Sequence, residues 1–258
     1  MKTHKVRMLL RVVAVLAFAV TGGKLAQAQS CNVSWTGNAG DALWSTAGNW
    51  STNQVPGPTS DVCILTAPSG QGACAPVGCV DARGVPSISI HSLQVNGGVG
   101  LFFGPGTVSI ATSLTVQAPQ TAQYASVVDL YFGTNLNAPL VDVQYGGALL
   151  GYGTIEGSLT NNGYIRVDGA LTVTGNYTQT SGGGLLVHWG LTGILNVNGN
   201  ATLSGSLGVV TDAPKFPPKS GSTYTFMTYG SLSGEFTSVT TSGISVKYNT
   251  NSAVAKYH

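Results

Sequence analysis

The chain has 258 residues, of which only 8% are charged and 36 are glycine, and its formal net charge is +2 at neutral pH. That balance leaves no cationic stripe for nucleic acid or for an anionic lipid surface. The length is ample for a buried core, and a regular alternation of Val, Leu and Ile excludes a disordered chain despite the abundance of Gly, Ser, Thr and Asn.

Residues 1–28 read as an export leader. Lys2, Lys5, Arg7 and Arg11 precede an apolar run at 12–20, and Ala26-Gln27-Ala28 is a small-x-small signal for cleavage after Ala28. The run is too short to span a bilayer, so the mature chain is expected to have no membrane span. Cleavage removes Lys24 as well as the four cations above, leaving six basic against nine acidic residues, a net charge of −3. Cys31, Cys63, Cys74 and Cys79 all follow the cleavage site, and an even count in an exported chain reads as two disulfides. Three pairings are possible. The short APVG loop between Cys74 and Cys79 favours joining those two, which leaves Cys31 with Cys63. The spacing is not that of a zinc site and no His lies near, so no metal and no cofactor is expected.

Residues 29–90 form a unit of their own, with three of the four tryptophans, Trp35, Trp44 and Trp50. Two roles fit flat indoles here. They can plug the open end of a repetitive fold, which such folds require, or they can stack on pyranose rings. Asp41 and Asp61 sit in turn-rich contexts, and turn formation accounts for both more simply than a calcium site.

From 91 to 210 one small unit repeats: a few residues of alternating apolar and polar character, then a corner bearing Gly or Asn. Ile165 and Val167 share one face of a strand while Arg166 and Asp168 share the other. Leu171 with Val173, Leu185 with Val187, Leu195 with Val197 and Leu207 with Val209 repeat the arrangement. A strand and a corner about every six residues is too tight for the hairpins of a sandwich, whose turns come every 8–12 residues or so. The pattern predicts an all-β chain that coils as a parallel, right-handed β-helix or solenoid, its rungs stacked about 4.8 Å apart. Residues 211–258 then read as a closing β cap, after the Pro-rich connection TDAPKFPPKSG.

The segment GTIEGSLTNNGYIRVDGALTVTGNYTQTSGG, followed by LNVNGNATLSGSLGV and SGSTYTFMTYGSLSGEF, resembles the C-terminal half of an autotransporter passenger. The resemblance covers 147–258 and implies the β-helix fold. It says little about activity, because adhesins, proteases and lyases share that scaffold. The sequence departs from the family in lacking the translocator β-barrel of some 8 or more strands. It is therefore expected to be a secreted relative or a passenger fragment. The stretch CNVSWTGNAGDALWSTAGNWSTNQVPGPTSDVCIL is similar to an N-terminal module of bacterial secreted β-helix proteins.

Catalytic signals are sparse. A β-helix lyase needs clustered carboxylates for Ca²⁺ and a basic residue, and a glycosidase needs paired carboxylates. The best set is Asp142, Glu156, Arg166 and Asp168, read as neighbours on one polar face. Solvation of the sheet and pairing across rungs explain these residues without catalysis. Trp189, beside His188, is a further candidate for glycan contact. The expectation is a non-catalytic adhesive or structural protein, secreted to the cell surface or the extracellular matrix, with the periplasm as a further address. A protein that binds or acts on polysaccharide is the alternative. Polysaccharide or other cell-surface components are the expected partners, and nucleic acid is not.

Overall fold

A computed structural model of the chain describes residues 30–66, 78–118, 125–189, 193–211 and 218–258. The leader with Ala28, and Cys74, lie outside them. The described residues are all-β, with one 3-10 turn at Ala47–Asn49 and no α-helix. Short strands come first: β1 (Val33–Ser34), β2 (Asp61–Ile64), β3 (Cys79–Ala82), β4 (Ser87–Ile90), β5 (Ser92–Val95), β6 (Gly100–Phe103), β7 (Gly106–Ile110), β8 (Ser113–Val116) and β9 (Ser126–Leu130). Longer strands that bend round corners follow, interspersed with short ones. These are β10 (Thr134–Val143), β11 (Gly147–Asn161), β12 (Tyr164–Val173), β13 (Tyr177–Gln179), β14 (Gly184–Trp189) and β15 (Ile194–Leu203). The chain closes with β16 (Ser206–Thr211), β17 (Thr223–Gly234), β18 (Ser238–Val239), β19 (Ile244–Tyr248) and β20 (Ser252–Tyr257).

Three parallel ladders organise them. The first runs through β1, β2, β5, β8, the second half of β10, the end of β11, β13, and the second halves of β15 and β17. The second runs through β3, β6, β9, the starts of β11 and β12, β14, β16 and β18. The third joins β4, β7, the start of β10, the middle of β11, the end of β12, the start of β15 and part of β17. The chain visits the ladders in turn and returns to the first. β1 and β2, the first strands of the first ladder, lie within the Trp-rich 29–90 segment. Among the named strands β20 alone reverses direction, pairing antiparallel with β17 on one side and with β19 on the other.

The period-two alternation now has a physical meaning. On the second ladder Val80, Leu101, Val128, Leu149, Ile165, Leu185 and Leu207 stand in register and are all buried. Each such side chain contributes roughly 1.5–3 kcal/mol by leaving water. At the N-terminal end Trp50 packs edge-on against Trp35 and Trp44, with centroids 4.9 and 4.8 Å apart. Its indole N–H donates to the Trp44 carbonyl at 2.8 Å. At the other end Phe226, Met227, Tyr229, Ala253 and Ala255 close the core. A disulfide joins Cys31 to Cys63 across a Cα separation of 5.7 Å. Cys79 is disulfide-bonded too; its expected partner Cys74 is outside the described residues.

A buried polar cluster lies at the corner after β13. Asn161, Tyr177 and Gln179 are buried there. The Tyr177 hydroxyl donates to Gln179 Oε1 at 2.6 Å, and Gln179 Nε2 donates to the carbonyls of Gly183, Ser204 and Ser206. Burial pushes the Tyr177 phenol well above its ordinary range. Among the described residues no helix is long and apolar enough to cross a membrane, which says nothing of β-barrels.

Candidate functional site

Outward-facing side chains on the third ladder follow the same register as the core. Ser87, Thr107, Asn135, Thr154, Thr172, Asn196 and Thr228 form one row, a strip of hydroxyls and amides. Rungs of a parallel sheet repeat about every 4.8 Å, so the strip offers one neutral polar group at each step. Where it meets the corner with the second ladder lies a groove of about 800 Å³. Its floor is Asn135, Thr154 and Thr172, and its corner wall is Phe132, Tyr152, Asp168 and Gly169.

The local sequence explains the wall. Phe132-Gly133 and Tyr152-Gly153 lie at the same corner on successive passes of the chain, offset by one residue, since Asn135 pairs with Thr154. Gly153 has φ +132°, and a Cβ there would lie 2.4 Å from the Thr134 carbonyl oxygen, so only glycine fits. The two rings stand 5.8 Å apart at 51°, and Phe132 is 77% exposed. Tyr152 rests on Gly169, where an added Cβ would come within 3.3 Å of its side chain.

Two carboxylates border the rings. Glu156 is exposed and accepts a hydrogen bond from Asn135 Nδ2 at 2.8 Å. Asp168 Oδ2 receives Arg166 Nη2 at 2.7 Å and Nε at 2.9 Å, while its Oδ1 lies 3.9 Å from His188 Nε2. The hydrogen bonds to Asp168 hold the Arg166 guanidinium above its usual range. In register with Leu150 and then Arg166 stands Asp129, half-buried. Burial pushes its carboxyl above the usual carboxylate range; Asp168 adds to this, and Arg166 and Arg83 oppose it.

The four polar candidates do not share one face. Asp142 lies on the first ladder and accepts from Gln144 Nε2 at 2.8 Å, Glu156 is on the third, and Arg166 and Asp168 are on the second and at its corner. The reason is that β10, β11 and β12 each turn a corner within one continuous strand, which the alternation does not reveal. Only Glu156 and Asp168 meet at the groove. The sugar-stacking role suggested for Trp35, Trp44 and Trp50 is corrected likewise: at 4%, 1% and 1% exposure they present no ring face to solvent. Trp189 is partly buried against Tyr224, with ring centroids 5.4 Å apart. Phe132 and Tyr152, which sequence reasoning passed over, are the accessible aromatics at the groove. Their signal was an aromatic-glycine pair recurring at 132–133 and 152–153.

No family model, curated protein or solved structure matches the chain. Function must follow from the groove itself. Among the described residues no group of three or more His, Cys, Asp or Glu could hold a metal ion. What the groove offers is two ring faces, a strip of hydroxyl and amide groups, and two carboxylates, with no cationic side chain in its lining. Such a surface can hold a polyhydroxylated chain by ring contact and hydrogen bonding.

Proposed function

We propose that the protein is an exported, right-handed parallel β-solenoid that holds polysaccharide at the cell surface or in the extracellular matrix without cleaving it. The observation that carries the reading is the exposed Phe132 ring packed with the half-buried Tyr152 ring, beside an in-register strip of Asn135, Thr154 and Thr172. Exposed apolar rings rimmed by polar groups mark interaction sites. Parallel ladders visited in turn, with an indole plug at one end and an antiparallel pair at the other, support the solenoid. The right-handed sense is that of nearly all parallel crossovers. The Cys31–Cys63 disulfide and the leader support an oxidising, exported address, and the resemblance to autotransporter passengers supports a surface one. The non-catalytic reading rests on how the carboxylates are engaged. Asp168 is held by Arg166, and Glu156 by Asn135, rather than presented as a free acid–base pair.

Retention on insoluble polysaccharides, with an assay for new reducing ends, tests the reading. The wild-type protein should be retained and release none. A Phe132→Ala/Tyr152→Ala variant should bind about tenfold more weakly or worse, the usual loss when central aromatic anchors are removed. Equal retention by the variant, or cleavage by the wild type, overturns it.

A further inference from the structure

We infer that the groove selects glycans bearing free amino groups, chains of unacetylated or partly acetylated hexosamine, over neutral chains and over polyuronates. The inference rests on the polysaccharide-binding reading. Its basis is charge. Glu156 is exposed and its hydrogen-bond partner, Asn135, is neutral, so no cation offsets it. Asp168 accepts from Arg166 on Oδ2, while among the described residues the nearest cationic partner of Oδ1 is His188 Nε2 at 3.9 Å. Both carboxylates stand beside the Phe132 and Tyr152 rings, where a sugar seated on the rings would bring its ring substituents. An ammonium substituent there gains a charge-assisted hydrogen bond, whereas the carboxylate of a uronic acid meets like charge.

A basic peptide offers the same charge but fits the floor poorly. Peptides that lie along a sheet do so by pairing with an unpaired edge. The floor strands β10, β11 and β12 are already paired on both sides within the third ladder. Their backbone groups are consumed, and only side chains face the ligand. A sugar chain, with hydroxyls of its own, suits that surface.

Calorimetric titration at about pH 6, above the ordinary carboxylate range, separates the possibilities. The probes are a glucosamine oligomer, its fully N-acetylated counterpart, an oligogalacturonate of equal length, and oligolysine. The glucosamine oligomer is expected to bind about threefold or more tighter than the acetylated one, as a partly exposed ion pair allows. Oligogalacturonate should be the weakest of the sugars. Glu156→Gln should narrow the difference between the two hexosamine oligomers, with Asp168 left as the remaining carboxylate. If the acetylated chain binds as tightly as the free amine, or Glu156→Gln leaves their ratio intact, the amino-sugar inference fails while polysaccharide binding stands. If no sugar binds, both fail. Oligolysine binding as tightly as the glucosamine oligomer, and unaffected by Tyr152→Ala, would also overturn the inference, because charge alone would then explain it.

Discussion

On the outer surface of the second ladder, Asp81 and Asp129 stand in one register column with Phe102 between them, yet their environments push them in opposite directions. Arg83, lying over the Phe102 and Tyr131 rings at 5.5 and 5.4 Å, grips Asp81 at 2.7 and 2.9 Å and holds its carboxyl below the usual range. Burial holds the Asp129 carboxyl above it. The lowered group adds stability above the unfolded carboxylate value, near 3.9, that is lost as pH falls through its folded value. The raised group has the reverse sign. Its cost is absent below the unfolded value and grows as pH rises through its folded one. Thermal melts of Asp129→Asn should therefore match or exceed the wild type at neutral pH, with the gain gone near about pH 3. Asp81→Asn should melt lower at neutral pH. A neutral-pH loss in Asp129→Asn would mean that Arg166 and Arg83 outweigh burial. Inside the core, Gln179→Leu keeps the approximate volume but takes the amide donor from the Ser204 and Ser206 carbonyls and the acceptor from the Tyr177 hydroxyl. Each buried group left unpartnered costs roughly 1–3 kcal/mol, so the urea midpoint should fall well below that of the wild type.

The terminal elements cover the ends of the ladders. β20 lies antiparallel on β17 and covers the edge of the third ladder, with Ala253 and Ala255 buried. Removing β19 and β20 bares that edge beside Met227 and Tyr229, an invitation to strand pairing between chains. The truncated protein is expected to keep its β-sheet circular dichroism but to form oligomers. A monomer by light scattering at micromolar concentration would show that the edge is guarded otherwise. At the opposite end, Trp50→Ala should cost about 3–5 kcal/mol, because its ring and its hydrogen bond to Trp44 hold the plug together. These ends also show what could be read in advance. Leu and Val at alternate positions announced the strands, and three clustered tryptophans announced a plug. The reversed direction of β20 was invisible, since residues such as those of Ala253–Ala255 alternate identically in parallel and antiparallel pairs. The groove was invisible for a related reason. Asp142 and Glu156 look like neighbours on one face until the corner in the middle of the chain is counted, and Phe132 meets Tyr152 only once rung register is known.

For the molecule as a whole, one repeating pattern does two jobs. Inward positions supply a continuous apolar column, and outward positions on the third ladder supply a regular neutral strip that becomes a groove where two corner aromatics rise beside it. The proposed function gives one short stretch of that surface to recognition. The division makes the binding location a sharper test than affinity. Backbone amide shifts, followed by NMR as an N-acetylglucosamine oligomer is added, read it directly. The account expects the perturbed signals to fall at Phe132–Asn135, Tyr152–Glu156 and Asp168–Thr172, three segments distant in sequence and adjacent on the groove. Shifts gathered instead on the first ladder around Thr160, Thr178 and Thr202, or near the buried tryptophans, would contradict it.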